Sequence, residues 1–327
     1  MVGRSSLTSE HSEAPVAQAE SRRPPATGLR AALVVLRPHQ WAKNALLLLP
    51  MVLAPGIPSE RVIFQGLLAA ATFSLSASAG YVLNDILDIE ADRAHATKRR
   101  RPFASGALPI AAGIPYVAVL VAASFGLALA FLPLKFSAML GLYLVGTLTY
   151  SFYLKRQLLV DVLVLAALYA HRILSGGVAT GVQVSSWLLG FSMFFFTSLA
   201  FAKRYVELKA ATGSGQIKNR AYFPTDVEMV TSMGTSSGYI AALVFMLYVE
   251  SAAVRVNYRE PAILWLILPI LLYWLGRIWL LAGRGQMQDD PVKFAVKDPQ
   301  SMFCAGGLVL IATVARFAPP WLSTILR

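Results

Sequence analysis

Nine apolar stretches, most of them close to the length that crosses a bilayer as a helix, leave this chain few folds other than a membrane-embedded helical bundle. They run approximately over 40–57, 62–84, 109–131, 136–153, 158–178, 184–202, 232–253, 261–283 and 302–325. The fourth is short, and Pro50 and Pro55 interrupt the first. Charged residues make up only 14% of the 327 residues, against 56% hydrophobic, and mean hydropathy is +0.59. Soluble domains carry roughly 25% charged residues, so a chain this apolar cannot cover its surface in water. A soluble enzyme, a secreted disulfide scaffold and a disordered protein are thereby excluded. The one cysteine, Cys304, lies in an apolar stretch, which rules out an internal disulfide and argues against a Cys-based metal site. Residues 1–29 are rich in Ser, Ala, Glu, Pro and Arg and lack the apolar core of a signal peptide. They read as a disordered cytoplasmic tail ahead of one transmembrane domain over 30–327.

The formal charge of +12 sorts by topology rather than pointing to nucleic acid. With the N-terminus in the cytoplasm and nine crossings, 21 Lys and Arg residues fall on the cytoplasmic side and 5 outside. A shift of one helix destroys that asymmetry. The sequence therefore predicts an all-α integral membrane bundle of nine transmembrane helices in the inner, cytoplasmic membrane, N-terminus cytoplasmic. Two long cytoplasmic connections, about 85–108 and 203–231, cap it and hold most of the remaining polar residues. Long loops on one face commonly carry function.

The first of these loops opens with Asn84, Asp85, Asp88, Glu90 and Asp92. If the second helix continues into it, Asn84, Asp88 and Asp92 stack one turn apart and Asp85 lies within about 100° of their stripe. Such carboxylates repel one another unless a cation sits among them. Hard oxygen donors with no supporting His or Cys select Mg²⁺ or Mn²⁺ over Zn²⁺, and Mg²⁺ commonly lets a substrate phosphate complete its shell. The plainer reading is a solvated acidic helix end. Lys98, Arg99, Arg100 and Arg101 follow at once, suiting a polyanion held through a metal, or else topology and anionic lipid headgroups.

Asn84-Asp-x-x-Asp-x-x-x-Asp92, with His95, Lys98, Arg101-Pro102 and Ser105-Gly106, resembles the NDxxDxxxDxxHPxKxxRPxxxG pattern of the UbiA superfamily of intramembrane prenyltransferases. Ala96 stands where that pattern usually has Pro. The resemblance implies the UbiA-type nine-helix bundle over about residues 30–325. Aromatic-prenylating members carry a second acidic pair, of DxxxD type, in the second long loop. This chain instead reads Ala202-Lys203-Arg204-Tyr205-Val206-Glu207-Leu208-Lys209, with Tyr205 and Lys209 on one helix face. That change, the entry Arg37-Pro-His-Gln-Trp-Ala-Lys43-Asn44, and Asp290-Pro-Val-Lys-Phe-Ala295 with Asp298 resemble the decaprenyl-phosphate phosphoribosyltransferase branch. Membership there implies a polyprenyl phosphate acceptor drawn from among the membrane lipids and a phosphoribosyl pyrophosphate donor. It implies Mg²⁺ on Asn84, Asp85, Asp88 and Asp92, and pyrophosphate release.

The residues are consistent with that reading, because a highly charged soluble donor needs a cationic cytoplasmic cavity. Arg37, Lys43, Asn44, Lys98, Arg101, Lys155, Arg156, Lys203 and Arg204 are the candidate substrate-binding residues. Asp88, Asp92, Asp161, Tyr205 and Lys209 are the candidate catalytic ones. Asp161 opens the fifth span, where a carboxylate usually faces a cavity, or else pairs with Lys155 or Arg156. Tyr205 could instead belong to an interfacial aromatic belt. His171 and Arg172, deeper in the fifth span, either line a polar cavity or bond between helices. Two rival functions remain. An aromatic polyprenyltransferase predicts the second carboxylate pair that the loop lacks. A transporter of an anionic metabolite predicts internal repeats and midplane polar residues, whereas here the polar residues gather at one face.

Overall fold

The computed structural model describes residues 28–94, 98–211, 215–217, 220–287 and 290–318, and every regular element among them is helical. The long helices are α1 (Glu60–Leu87), α2 (Gly113–Phe131), α3 (Leu134–Phe152), α4 (Val160–Thr180), α5 (Ser186–Ala210), α6 (Val227–Glu250), α7 (Ile267–Gly283) and α8 (Pro299–Phe317). Among the described residues, seven helices are long and apolar enough to cross a membrane, and α3 is the long helix that is not. Its 19 residues include Lys135 and a run of Thr, Tyr and Ser near its end, which dilute its apolar character. Starts are set locally. The side chains of Ser59, Ser185 and Asp298 accept the N–H groups of Val62, Leu188 and Ser301, satisfying otherwise orphaned donors of α1, α5 and α8.

The first expected span, 40–57, is not one helix. A 3₁₀ segment over Pro38–Leu48 gives way to a short α-helix, Leu49–Leu53. Pro50 has no N–H to donate back along an α-helix, and Ala54 turns the chain out before Pro55. The segment nevertheless runs the length of α1 in the opposite direction. Trp41 Nε1 donates to Ser78 Oγ (3.1 Å) and Asn44 Nδ2 to Ser74 Oγ (3.0 Å), while Arg37 pairs with Asp85. Ser74, Ser78, Tyr81 and Asp85 form one stripe of α1, spaced by four, three and four residues. On its other flank the segment meets α4 backbone to backbone, since a Cβ built on Gly176 would stand 2.0 Å from the Leu47 carbonyl oxygen. At the far end Arg316 of α8 donates to the carbonyl oxygens of Val52 (3.1 Å) and Leu53 (2.8 Å).

Of the expected tail, the structure describes only Gly28 and Leu29. A helix over Gly28–Val35 begins inside it, and residues 1–27 lie outside the described residues.

The interior is aromatic and aliphatic, centred on Tyr169, Ile173, Phe196, Phe201, Ile278 and Trp279 from α4, α5 and α7. Outward-facing positions such as Leu142, Val145, Leu243, Leu247, Val309 and Leu310 are apolar as well as exposed. A protein with an apolar interior and an apolar exterior is one whose solvent is lipid.

Candidate functional site

Buried charge collects at one end of the bundle, where α1 and α5 finish and α4 begins. Asp85 and Asp92 are both buried. Arg101 Nη1 donates to both, at 3.1 Å to Asp85 Oδ1 and 2.7 Å to Asp92 Oδ2. Arg37 is bonded to the same Asp85 oxygen and lies over the Tyr81 ring. Arg37 has φ 52°, a left-handed conformation uncommon outside glycine, at the turn into the 3₁₀ segment.

This grouping differs from the expected stripe of Asn84, Asp88 and Asp92. Helix α1 ends at Leu87, Asp88 caps it, and a new turn starts at Ile89. Asp88 is left exposed. Its charge acts on Lys155: burial pushes that ammonium down, and Asp88 opposes the push. Asn84 is half-buried and donates to Ser151 Oγ at 3.3 Å. Lys98 and Arg100 are exposed in a 3₁₀ turn over Lys98–Arg100, and Arg156 is exposed too. His95 and Ala96 of the motif, and Lys218 of the second loop, lie outside the described residues.

A second cluster surrounds Asp161 in the first turn of α4. Arg204 Nε is 3.3 Å from Asp161 Oδ2, and Tyr222 donates to Asp161 Oδ1 at 2.8 Å. The partners of Asp161 are therefore these two rather than Lys155 or Arg156. Tyr222 Oη also accepts the N–H of Leu159 (3.2 Å), a residue with φ 63°. Burial, then the adjacent Asp161 carboxylate, raise the Tyr222 phenol, so it remains a hydrogen-bond donor at neutral pH. Arg204 continues to Glu207, which is 3.3 Å from Arg220 Nε; Arg220 Nη1 reaches the Lys155 carbonyl oxygen at 3.2 Å.

A third cluster joins distant segments. Asp290 Oδ2 accepts from Lys43 Nζ at 2.7 Å, with Lys203 Nζ at 3.6 Å. Its Oδ1 accepts the Val292 N–H (2.9 Å), capping the short helix Pro291–Lys297. Burial opposes ionisation of Asp290, but Lys203 and Lys43 outweigh it and hold the carboxyl down to about 2. Asp298 is held by Arg277 through two hydrogen bonds, 2.6 and 3.0 Å. That pairing brings its carboxyl below the usual range.

Tyr205 and Lys209 do share a face of α5. Lys209 is exposed with its ammonium 5.8 Å from the Tyr205 ring centre, and Tyr205 packs edge-on to Trp279. Asn44, Arg172 and His171 belong to bonds between helices: Arg172 donates to Asn44 Oδ1 (3.1 Å) and Tyr143 Oη (3.0 Å), and His171 Nε2 pairs with the Met139 carbonyl oxygen (2.9 Å). Glu207, Arg220, Tyr222 and Asp290 were not among the expected site residues. Glu207 has a local partner in Arg204, three residues before it, but the partners of Arg220, Tyr222 and Asp290 lie up to 247 positions away. One signal was available: Asp290 followed by Pro is a helix-start signature.

Two buried carboxylates converging on one shared cation suit a hard dication. Among the described residues no three His, Cys, Asp or Glu side chains gather as a metal cage. Asp85 and Asp92 thus fit Mg²⁺ in its usual mode, with one or two carboxylates and the remaining ligands brought by phosphate and water.

A profile described as the UbiA prenyltransferase family matches residues 45–307. The chain belongs to the UbiA prenyltransferase family. Among its relatives is Uncharacterized protein y4nM of Sinorhizobium fredii, 40% identical over 85% of this chain and 54% of that protein, so the chain spans about half of y4nM. Nodulation protein NoeC of Azorhizobium caulinodans is 34% identical over 84% of this chain and 89% of NoeC. Decaprenyl-phosphate phosphoribosyltransferase of Corynebacterium glutamicum is 34% identical over 71% of each chain. In fold, the UbiA chain is similar to the structure of a UbiA homologue from Archaeoglobus fulgidus bound to GPP and Mg²⁺, with a TM-score of 0.63 over 87% of this chain and 99% of that one, at 14% identity. Family membership and the seven apolar helices among the described residues make the chain an integral membrane protein.

Proposed function

We propose that the chain transfers the 5-phosphoribosyl group of phosphoribosyl pyrophosphate to a polyprenyl phosphate, releasing pyrophosphate, with Mg²⁺ or Mn²⁺ as cofactor. The observation that carries this reading is at the end of α5. An aromatic prenyltransferase needs a second carboxylate pair there, and Glu207 is the sole acid of 203–210, already shared by Arg204 and Arg220. Cations have taken the place of a metal site, as a ligand richer in phosphate requires. The likeness to the Corynebacterium enzyme supports the same substrates.

In the proposed reaction a phosphate oxygen of the lipid attacks C1 of the ribose. The C1–O bond to pyrophosphate breaks, and 5-phosphoribosyl-1-O-polyprenyl phosphate forms. Asp85 and Asp92, with Asn84 and Asp88 of the same motif, would hold the dication, which would supply charge neutralisation for the departing pyrophosphate. Arg37, Arg101, Lys98 and Lys155 orient its oxygens. Asp161, held in place by Arg204 and Tyr222, faces the positive charge that develops at C1. Tyr205 and Lys209 orient phosphate at the α5 end, with Arg156 at the rim. The acceptor phosphate is already anionic and needs no general base.

Nine crossings with a cytoplasmic N-terminus complete the reading. The 3₁₀ rise of about 2.0 Å per residue lets Pro38–Leu48 plus Leu49–Leu53 cover about 30 Å, the thickness of a hydrocarbon core. With α3, this gives two crossings beyond the seven most apolar helices. Such a topology puts the charged end in the cytoplasm, where a soluble donor is met.

The test supplies membranes containing the protein with polyprenyl phosphate, Mg²⁺ and labelled phosphoribosyl pyrophosphate. A labelled lipid is expected. No labelled lipid, together with prenylation of an aromatic acid, overturns the reading.

A further inference from the structure

Around Asp290 and Tyr169, half-buried and buried cations outnumber the carboxylate they share. Lys43 and Lys203 share one carboxylate oxygen of Asp290, at 2.7 and 3.6 Å. The Lys43 ammonium also lies over the Tyr169 ring, 5.8 Å from its centre, and the Arg172 guanidinium lies 5.5 Å from the same centre. Among the described residues Arg172 donates only to neutral oxygens, those of Asn44, Leu168 and Tyr143. Three cations grouped at this point thus face one carboxylate, and since Arg204 and Glu207, which also act on Lys203, offset each other, a formal excess of two positive charges remains. The side chains of Lys43, Lys203 and Asp290 are 17%, 29% and 13% exposed, so water screens them poorly. Charge held out of water at such a place is costly unless an opposite charge arrives with a ligand.

A phosphomonoester brings a charge of roughly −1.5 to −2 at neutral pH, together with three strong acceptor oxygens. That matches the excess. A metal-bridged diphosphate does not suit this place, because it offers a single carboxylate, Asp290, whose other oxygen caps a helix. The carboxylates that converge on a shared cation are Asp85 and Asp92, in the first cluster.

We infer that Lys43 and Lys203 form a subsite for a phosphomonoester, and that the Asp290 carboxylate stands in for that phosphate until the ligand displaces it. The inference rests on the transferase reading, whose two substrates each carry such a group: the phosphate end of the lipid and the 5-phosphate of the ribosyl donor. The design of Asp290 suits an exchange. One oxygen, Oδ1, caps the short helix Pro291–Lys297 through the Val292 N–H, while the other engages the lysines. An amide at this position keeps the cap, since Asn is as good an N-cap as Asp, and removes the competing charge.

The experiment measures binding to the purified full-length chain in nanodiscs by calorimetry, with the metal chelated so that the diphosphate site is not engaged. Farnesyl phosphate probes the lipid source and ribose 5-phosphate the donor source. One of the two is expected to bind. Asp290→Asn should tighten that binding roughly tenfold and Lys203→Gln should weaken it by a similar factor. The responding probe identifies which substrate the subsite takes. Because loss of structure cannot produce tighter binding, Asp290→Asn keeps the outcome decisive even if Lys203→Gln fails to fold. If neither probe binds, or if Asp290→Asn leaves binding unchanged or weakens it, the subsite is refuted. Transfer from labelled phosphoribosyl pyrophosphate, run on the same unaltered protein, separates the two ideas. Transfer without a response to Asp290→Asn removes the subsite alone; a response without transfer removes the transferase reading and leaves the phosphate site.

Discussion

Asp88 and Asp92 make different contacts, and the difference predicts how their variants behave. Asp92 is buried against Arg101, so Asp92→Ala strips a guanidinium of part of its counter-charge. Asp88 is exposed, and its truncation leaves no buried group unpaired. Both variants should reduce Mg²⁺-dependent turnover at least about 100-fold while the protein still inserts in membranes. Asp92→Ala alone should also lower thermal stability, by about 1–3 kcal/mol. Turnover assays and unfolding in detergent check this pair, and near-normal turnover of both would reduce the acidic run to a structural ion-pair cluster at the helix end. The run itself was legible in the sequence because acids are scarce, 17 Asp and Glu in 327 residues. Which members are buried together was not. That depends on α1 stopping at Leu87 and on Arg101 folding back across the motif, neither of which a helical wheel contains. Asp161 is similar: its position in α4 could be read, but its partners Arg204 and Tyr222 come from other segments.

The 3₁₀ segment over Pro38–Leu48 is the element on which the charged end depends. It carries Arg37 to Asp85 and Lys43 to Asp290, and it lies between α1 and α4 because both present small or hydroxyl side chains along it. Gly176 is the closest of these approaches. In Gly176→Ala the new Cβ would meet Leu47 backbone atoms at 2.0–2.8 Å, and backbone cannot rotate aside as a side chain can. The segment must then shift, at an expected cost of about 1–3 kcal/mol. Because Asn44, Lys43 and Arg37 shift with it, turnover should fall more than stability. An unchanged melting temperature together with full activity would show that the contact is not needed. The apolar content of 40–57 was readable as a membrane segment, and its prolines warned of an interruption. Periodicity could not reveal the 3₁₀ geometry, because the side-chain contacts that hold the segment, Trp41 to Ser78, Asn44 to Ser74 and the Leu53 carbonyl to Arg316, come from other helices.

Charge distribution orients the molecule, and labelling can test it. With 21 cationic residues assigned to one side and 5 to the other, the proposed topology places the site end in the cytoplasm by the positive-inside rule. The weakest crossing is the 38–53 segment, so the decisive positions flank it. Leu29 is 79% exposed before it and Ile57 is 86% exposed after it. Cys304 is the one native thiol, so a Cys304→Ser background lets a single introduced cysteine report its side. A membrane-impermeant maleimide added to intact cells stripped of outer barriers should label Ile57→Cys directly and Leu29→Cys only after permeabilisation. Arg100→Cys, beside the acidic motif, should behave like Leu29→Cys, and Lys135→Cys, at the start of α3, like Ile57→Cys. Labelling of Leu29 and Ile57 from the same side would mean that the segment dips into the bundle without crossing. The Arg37–Asp85 contact, near one end of α1, and the side chains of Leu48 and Met51, which a Cβ on Gly66 near the other end would meet at 3.3 and 3.4 Å, argue against that. A segment tied to both ends of a 28-residue helix has travelled its length. The reverse pattern at Arg100 and Lys135 would turn the whole molecule over and separate its cationic end from a cytoplasmic phosphoribosyl donor, so the same four cysteines test the topology and the access route that the transferase reading requires.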